Sequence, residues 1–294
     1  METQKKQIQQ LVATFIHDMG SVSAAASKLR ISRTTLDNIA KGNWESISDE
    51  MFLKVGKQLG LNQDQPWTLV QTYDWLTLVT FFDDARTYGN VYAIIGSAGS
   101  GKTFTANWYS HNHKNVYHIV CAEYWNRRMF LSEILRQLGR LNTGYTMGEM
   151  MEEIINEMLR QDKPLIILDE ADKLTDSVLY FFITLYNQLK DKAGIVLMAT
   201  DFLAKRIQRG YKLNKKGYAE ILSRIGRRFI YLRGVNRKEV EAICRANGID
   251  DPVQITEIWN ECEGDLRRVE RGIHKMHRKR EKMVENGQAI QVTN

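Results

Sequence analysis

Val91-Tyr92-Ala93-Ile94-Ile95-Gly96-Ser97-Ala98-Gly99-Ser100-Gly101-Lys102-Thr103 joins an unbroken apolar run to a glycine-rich loop. Its first five residues are apolar or aromatic without a break, as in a parallel strand buried on both faces. The next eight form a complete G-x-x-x-x-G-K-T ahead of a helical segment. Glycines at 96, 99 and 101 let the backbone wrap tightly, so that successive N–H groups face phosphate oxygens and the helix N-terminus adds its positive end. Lys102 is expected to neutralise the β and γ phosphates of ATP. Thr103 is expected to place its hydroxyl on Mg²⁺, which takes oxygen ligands and keeps several waters. The competing reading is a glycine-rich turn that fits by accident; strand, helix, lysine and threonine together count against it. Gly96, Ser97, Ala98, Gly99, Ser100, Gly101, Lys102 and Thr103 are therefore the candidate phosphate loop.

Further apolar runs at Val116–Val120, Leu165–Leu168 and Ile195–Ala199, with a last one at Phe229–Leu232, alternate with longer helical stretches. That alternation is the signature of a parallel sheet covered by helices. The Leu165–Leu168 run delivers Asp169 and Glu170 at its C-terminal end, where open α/β sheets bind their ligands. Asp169 is expected to hold the Mg²⁺ shell, and Glu170 to polarise the water that attacks the γ-phosphate. An Asp-Glu pair can equally cap a helix, but its place after a phosphate loop favours the chemical role. Beyond Arg233 three helices are expected at about 236–246, 253–262 and 265–283, forming a small lid.

Residues 1–62 read as an all-α miniature domain. Val22, Ala25, Ala26 and Leu29 recur at the spacing of one helix face. A turn at Arg30-Ile31 follows, Ser32 is placed as an N-cap, and Leu36, Ile39 and Ala40 give the next helix its inner face up to Gly42. Ser48 caps a further helix with Met51, Phe52, Val55 and Leu59 inward and Gly60 as its stop. The expected division is 1–62 helix-turn-helix domain, 63–74 linker around Pro66, 75–232 α/β nucleotide-binding domain, 233–283 helical lid and 284–294 tail.

The 294 residues carry a net charge of +6, concentrated in Lys205–Lys238 and Arg267–Lys282. Such runs are often solvated helix faces, but together they favour a polyanionic partner. No run of about eighteen apolar residues is present, and METQKKQIQQ lacks the apolar core of a secretion signal, so a cytoplasmic protein without a membrane partner is expected. Cys121, Cys244 and Cys262 are scattered, which argues against a disulfide framework or a zinc site and for buried thiols.

With the phosphate loop and the Asp-Glu pair in place, residues 75–282 resemble the AAA+ ATPases. The resemblance implies a γ-phosphate sensor at Thr200, where the family usually has Asn. It also implies an arginine finger at Arg224 within Leu222-Ser223-Arg224-Ile225, with Arg227 and Arg228 as rivals, and a lid sensor at Arg267 within Gly264-Asp265-Leu266-Arg267-Arg268. Val22–Gly42 resembles the helix-turn-helix of phage-repressor-type domains, with Arg33, Thr34, Asn38 and Lys41 facing outward; a protein-docking trihelical unit is the alternative. The domain order is similar to that of the MuB-type target-capture ATPases of transposing phages, and more distantly to TnsC and IstB. That implies a DNA-stimulated ATPase that forms a helical oligomer on duplex DNA with little sequence preference and delivers the DNA to a transposase. Arg127 and Arg128 are candidates for the DNA-facing surface. A helicase loader or replication initiator, and a nucleotide-switched DNA-binding regulator, are the alternatives.

Overall fold

The computed structural model describes the chain except Met1, Arg30, Glu45, Ser46, residues 60–66, Asn142 and residues 292–294; the side chains of Glu2, Thr3, Gln4, Gln7, Asp18, Leu53, Lys57, Glu281 and residues 283–291 are also undescribed. Two compact units result, Met1–Trp67 and Thr68–Asn294. Arg30 of the expected turn, the expected stop Gly60, and Pro66 lie outside the described residues.

The first unit contains α1 (Glu2–Met19), α2 (Val22–Lys28), α3 (Arg33–Lys41) and α4 (Asp49–Gln58). Side-chain caps set the starts: Ser21 Oγ accepts from Ala24 N at 3.1 Å and Ser32 Oγ from Thr35 N at 3.0 Å, satisfying amides that a helix cannot pair itself. Gly42, in the left-handed region at φ 80°, ends α3. Ile8, Val12, Leu29, Leu36, Ile39, Phe52 and Val55 are buried together. Helix α1 adds a fourth element to this unit: Ile8, Val12, Phe15 and Met19 lie on one face of it at helical spacing and pack into this core.

The second unit begins with α5 (Tyr73–Tyr88), followed by β1 (Val91–Ile95), α6 (Lys102–Asn112), β2 (Val116–Val120), α7 (Arg127–Gln137), α8 (Met147–Leu159) and β3 (Leu165–Asp169). After a 3₁₀ turn at Ala171–Lys173 come α9 (Asp176–Leu179), α10 (Phe181–Leu189), β4 (Gly194–Ala199), α11 (Asp201–Lys212), α12 (Tyr218–Arg224) and β5 (Ile230–Tyr231). The chain ends in α13 (Arg237–Ala246), α14 (Pro252–Cys262) and α15 (Leu266–Gln291). The strands form one sheet of order β2-β3-β4-β1-β5, with every pairing parallel.

Alternate strand residues face opposite sides, and each side has its own cover. Ile94, Val116, Leu165, Ile167, Val196 and Met198 pack on α5 and α6 through Leu78, Phe82, Ala106 and Tyr109. On the other face Ile95, Ile119, Ile166, Leu168 and Leu197 pack on α7, α8, α10, α11 and α12. No helix among the described residues is long and apolar enough to cross a membrane. The three cysteines are free thiols and buried.

The expected linker 63–74 is shorter than the sequence suggests. Thr68 N donates to Asn247 Oδ1 at 2.9 Å, and Thr72 Oγ1 caps α5. Asp74, 2 % exposed, accepts from the backbone N–H groups of Arg233 and Gly234 at 2.9 and 2.8 Å. Residues from Thr68 onward thus belong to the nucleotide-binding unit, tied to the start of the lid by hydrogen bonds that a polar, proline-marked stretch does not reveal.

Candidate nucleotide-binding site

The loop after β1 has the geometry that its glycines allow. Gly99 and Gly101 lie at φ 75° and 86°, the left-handed region that glycine enters without a Cβ clash. Lys102, largely buried at 8 % exposure, sits inside the loop. Its ammonium donates to Gly96 O at 2.7 Å, Ser97 O at 2.9 Å and Ser100 Oγ at 3.3 Å. Burial pushes this ammonium below the ordinary lysine value; Asp169 and Asp172 oppose the shift and Arg267 adds to it. A cation held by neutral carbonyls inside a cradle of glycine amides fits an incoming polyphosphate.

Asp169 ends β3 with no exposed surface. Its Oδ2 accepts from Thr103 Oγ1 at 2.6 Å, and its Oδ1 from the Glu170 backbone N–H at 2.9 Å. Burial alone would raise its pKa, but the hydrogen bonds from His118 and Thr103 outweigh this and hold the carboxyl below its usual value. Thr103 and Asp169, the two expected Mg²⁺ ligands, therefore converge on one point with the carboxylate ionised. Two protein oxygens suit an octahedral ion that keeps its waters.

Glu170 is in the left-handed region at φ 54° and ψ 37°, a conformation that costs a non-glycine residue about 1 kcal/mol and clusters at functional sites. Its carboxylate is paired with Lys173 one turn on. Thr200, just beyond β4, donates through Oγ1 to Asp172 Oδ2 at 2.7 Å. Asp172 completes a D-E-x-D run with Asp169 and Glu170. Arg206 fastens the same corner, donating to the Asp172 and Leu174 carbonyls and pairing with Asp176 at 2.7 Å.

The lid reaches the loop at the start of α15. Leu266 N donates to Gly99 O at 2.9 Å, and Asp265 lies so close that a Cβ on Gly99 would stand 1.9 Å from Asp265 Oδ1. Asp265 Oδ1 in turn accepts from Arg267 N at 2.8 Å. This contact brings the first turn of α15, with the exposed Arg267, to the phosphate loop. Asp265 stands beside Arg267 in the Gly264–Arg268 motif, but its place against Gly99 is set by the fold.

Arg224 lies elsewhere. Its Nη2 donates to Asn187 Oδ1 at 3.1 Å, its guanidinium lies 5.3 Å from the Tyr186 ring centre, and Glu220 is 3.6 Å away. It is packed on α10 of its own chain, whereas Arg227 and Arg228 are exposed and make no side-chain hydrogen bond with the described residues. In the first unit Arg33, Thr34 and Lys41 are exposed and Asn38 is half-buried; Lys41 pairs with Asp37 at 2.6 Å. Arg127 and Arg128 open α7, exposed at its N-terminus, and Arg128 donates to Tyr145 O at 2.8 Å.

A parallel sheet of this order, with the phosphate loop after β1, the Asp-Glu pair after β3 and a helical lid seated on the loop, is an α/β P-loop fold of the AAA+ type. The family described as AAA domain matches residues 85–207, spanning the loop, Asp169, Glu170 and Thr200. Among solved structures, NtrX from Brucella abortus in complex with ATP is 13% identical with a TM-score of 0.44; the similarity covers 83% of this chain and 59% of that one. No curated protein matches the sequence.

Proposed function

We propose that the protein is an ATP-dependent DNA-binding ATPase whose nucleotide state governs self-assembly. The single observation that carries the ATPase reading is the convergence of Lys102, Thr103, Asp169 and Glu170 at the C-terminal edge of the sheet. Lys102 would leave its loop carbonyls to donate to the β and γ phosphates, and the amides of residues 97–103 would close around them. Bound Mg²⁺ would supply charge neutralisation between those phosphates. Thr103 and Asp169 would hold it, and Arg267 would meet the γ-phosphate as the lid closes. Glu170 must part from Lys173 to polarise the attacking water. Arg227 and Arg228, by their exposure, are better placed than Arg224 to enter a neighbouring subunit's site.

DNA is supported by charge placement. Arg209, Lys212, Lys215 and Lys216 are exposed around the end of α11 and have no ion-pair partner among the described residues. Arg127 and Arg128 put two cations at a helix N-terminus, where the helix dipole disfavours them unless an anion arrives. The second basic run is weaker support, because Lys275 and Lys279 pair with Glu257 inside the lid.

Two finer readings share this core. A nucleotide-switched regulator is supported by the Glu170–Lys173 and Thr200–Asp172 contacts, each of which occupies a group that turnover would need. Delivery of target DNA to a transposase rests on the order of the two domains. ATP turnover measured with and without random duplex DNA separates them. Stimulation by DNA supports the assembling ATPase, and ATP binding with no turnover in either condition supports the switch. No ATP binding at all would sink the proposal.

A further inference from the structure

His118 stands in the middle of β2, a strand with no assigned chemistry. In the β2–β3 register it lies opposite Ile167, and strand residues two apart share a face. His118 and Asp169 therefore both face α6, whose first turn carries Thr103. His118 Nε2 is 3.3 Å from Asp169 Oδ2, with the two side chains 8 % and 0 % exposed. An ionised carboxylate only accepts, so the bond requires the Nε2–H tautomer.

The carboxylate thus has three donors of different origin. The Glu170 amide fixes Oδ1. Thr103, on the first turn of α6, shares Oδ2 with His118. Thr103 is itself a candidate metal ligand on the loop that must wrap the phosphates, so its hydroxyl cannot serve as a fixed reference for Asp169. His118 belongs to the sheet, and its place does not depend on the loop. Partners that orient a liganding carboxylate from behind commonly alter metal affinity about 10- to 100-fold when removed.

We infer that His118 is a positioning residue for the metal-binding end of the site: it holds Asp169 Oδ2 in the orientation that Mg²⁺ needs, independently of the phosphate loop. The inference rests on the nucleotide-site reading above and adds the residue that presets its metal ligand. It predicts a split between metal and nucleotide that packing alone would not give. Loss of the donor should weaken Mg²⁺ and leave metal-free nucleotide binding alone.

The test is a Mg²⁺ titration of the full chain bound to a fluorescent ATP analogue, with parallel nucleotide titrations in EDTA and thermal unfolding of each variant. His118→Phe fills the volume without a donor, and His118→Asn carries a donor too short to reach Oδ2. His118→Gln places an amide N–H near the Nε2 position. Phe and Asn should each raise the half-saturating Mg²⁺ about tenfold or more, with EDTA binding within about twofold of wild type. Gln should stay within about threefold. Should Phe not fold, the Asn and Gln pair decides alone. Wild-type Mg²⁺ dependence in folded Phe or Asn, or a Gln variant as impaired as Asn, overturns the role of His118. A wild type whose nucleotide binding ignores Mg²⁺ overturns the site reading instead.

Discussion

Gly99→Ala is the sharpest perturbation of the contact between lid and loop. Gly99 sits at φ 75°, and its added Cβ would fall 1.9 Å from Asp265 Oδ1 and 2.1 Å from Cγ. Holding alanine in the left-handed region costs about 1–2 kcal/mol. Asp265 must also withdraw, which breaks its bond from Arg267 N and strains the Leu266 N–H bond to Gly99 O; at about 1 kcal/mol each, these bring the total to roughly 2–4 kcal/mol. The lid can yield without global unfolding, so the assay is hydrogen exchange of the amides of residues 266–269, expected to speed up about 30- to several-hundred-fold. Asp265→Ala in the same background should restore part of the protection by removing the steric share, a coupling of about 1–2 kcal/mol. Unchanged exchange at Leu266 in Gly99→Ala would refute the docking of α15 on the loop.

Lys102→Ala should abolish ATP binding and, with it, cooperative binding to DNA, because no other ammonium lies inside the loop; filter binding checks both, and tight ATP-dependent DNA binding by the variant would count against the site. Arg227→Ala or Arg228→Ala should stop hydrolysis and assembly with ATP affinity intact, whereas Arg224→Ala should chiefly lower the melting temperature by removing its contacts to Tyr186 and Asn187; sedimentation and thermal unfolding separate the three, and normal assembly and turnover in all would remove the subunit-bridging site. Affinity for duplex DNA should fall steeply with salt and vary little with sequence, and Lys212→Ala or Lys215→Ala should each lower the log–log salt slope by about one unit. A thousandfold preference for one short sequence would instead make the first unit a specific reader.

The parts of the fold that were legible are those in which local sequence and burial coincide. Strands β1, β3 and β4 are continuous apolar runs because both of their faces are covered, whereas β2, at the edge of the sheet, carries His118 and an exposed Val120; the bounds of all four differ from the expected ones by at most a residue. The phosphate loop was legible because its glycines, Lys102 and Thr103 act through backbone geometry that neighbours in sequence dictate. What was not legible depends on partners far apart in the chain. Thr68 needs Asn247, and Asp74 needs the amides of Arg233 and Gly234, so residues 68–74 looked like linker. His118 resembled any strand histidine until the β2–β3 register set it beside Asp169. Arg224 fits its motif, and its contacts to Asn187 and Tyr186 on another helix are ones the motif does not reveal. Asp172 and Lys173 stand beside Glu170 in the sequence, yet the Glu170–Lys173 pair and the Thr200–Asp172 bond are set by the folded turn after β3.

In the proposed site Glu170 drives hydrolysis while Lys102, Thr103 and Asp169 hold the nucleotide. The most direct test is single-turnover ATP hydrolysis by the wild type and Glu170→Gln, with bound ATP followed in the same samples. Gln keeps the shape but not the charge that polarises water, so the variant should bind ATP with affinity near that of the wild type and hydrolyse it about 10²- to 10⁴-fold more slowly. Hydrolysis at the wild-type rate by a folded, ATP-bound Glu170→Gln would exclude Glu170 as the residue that polarises the water.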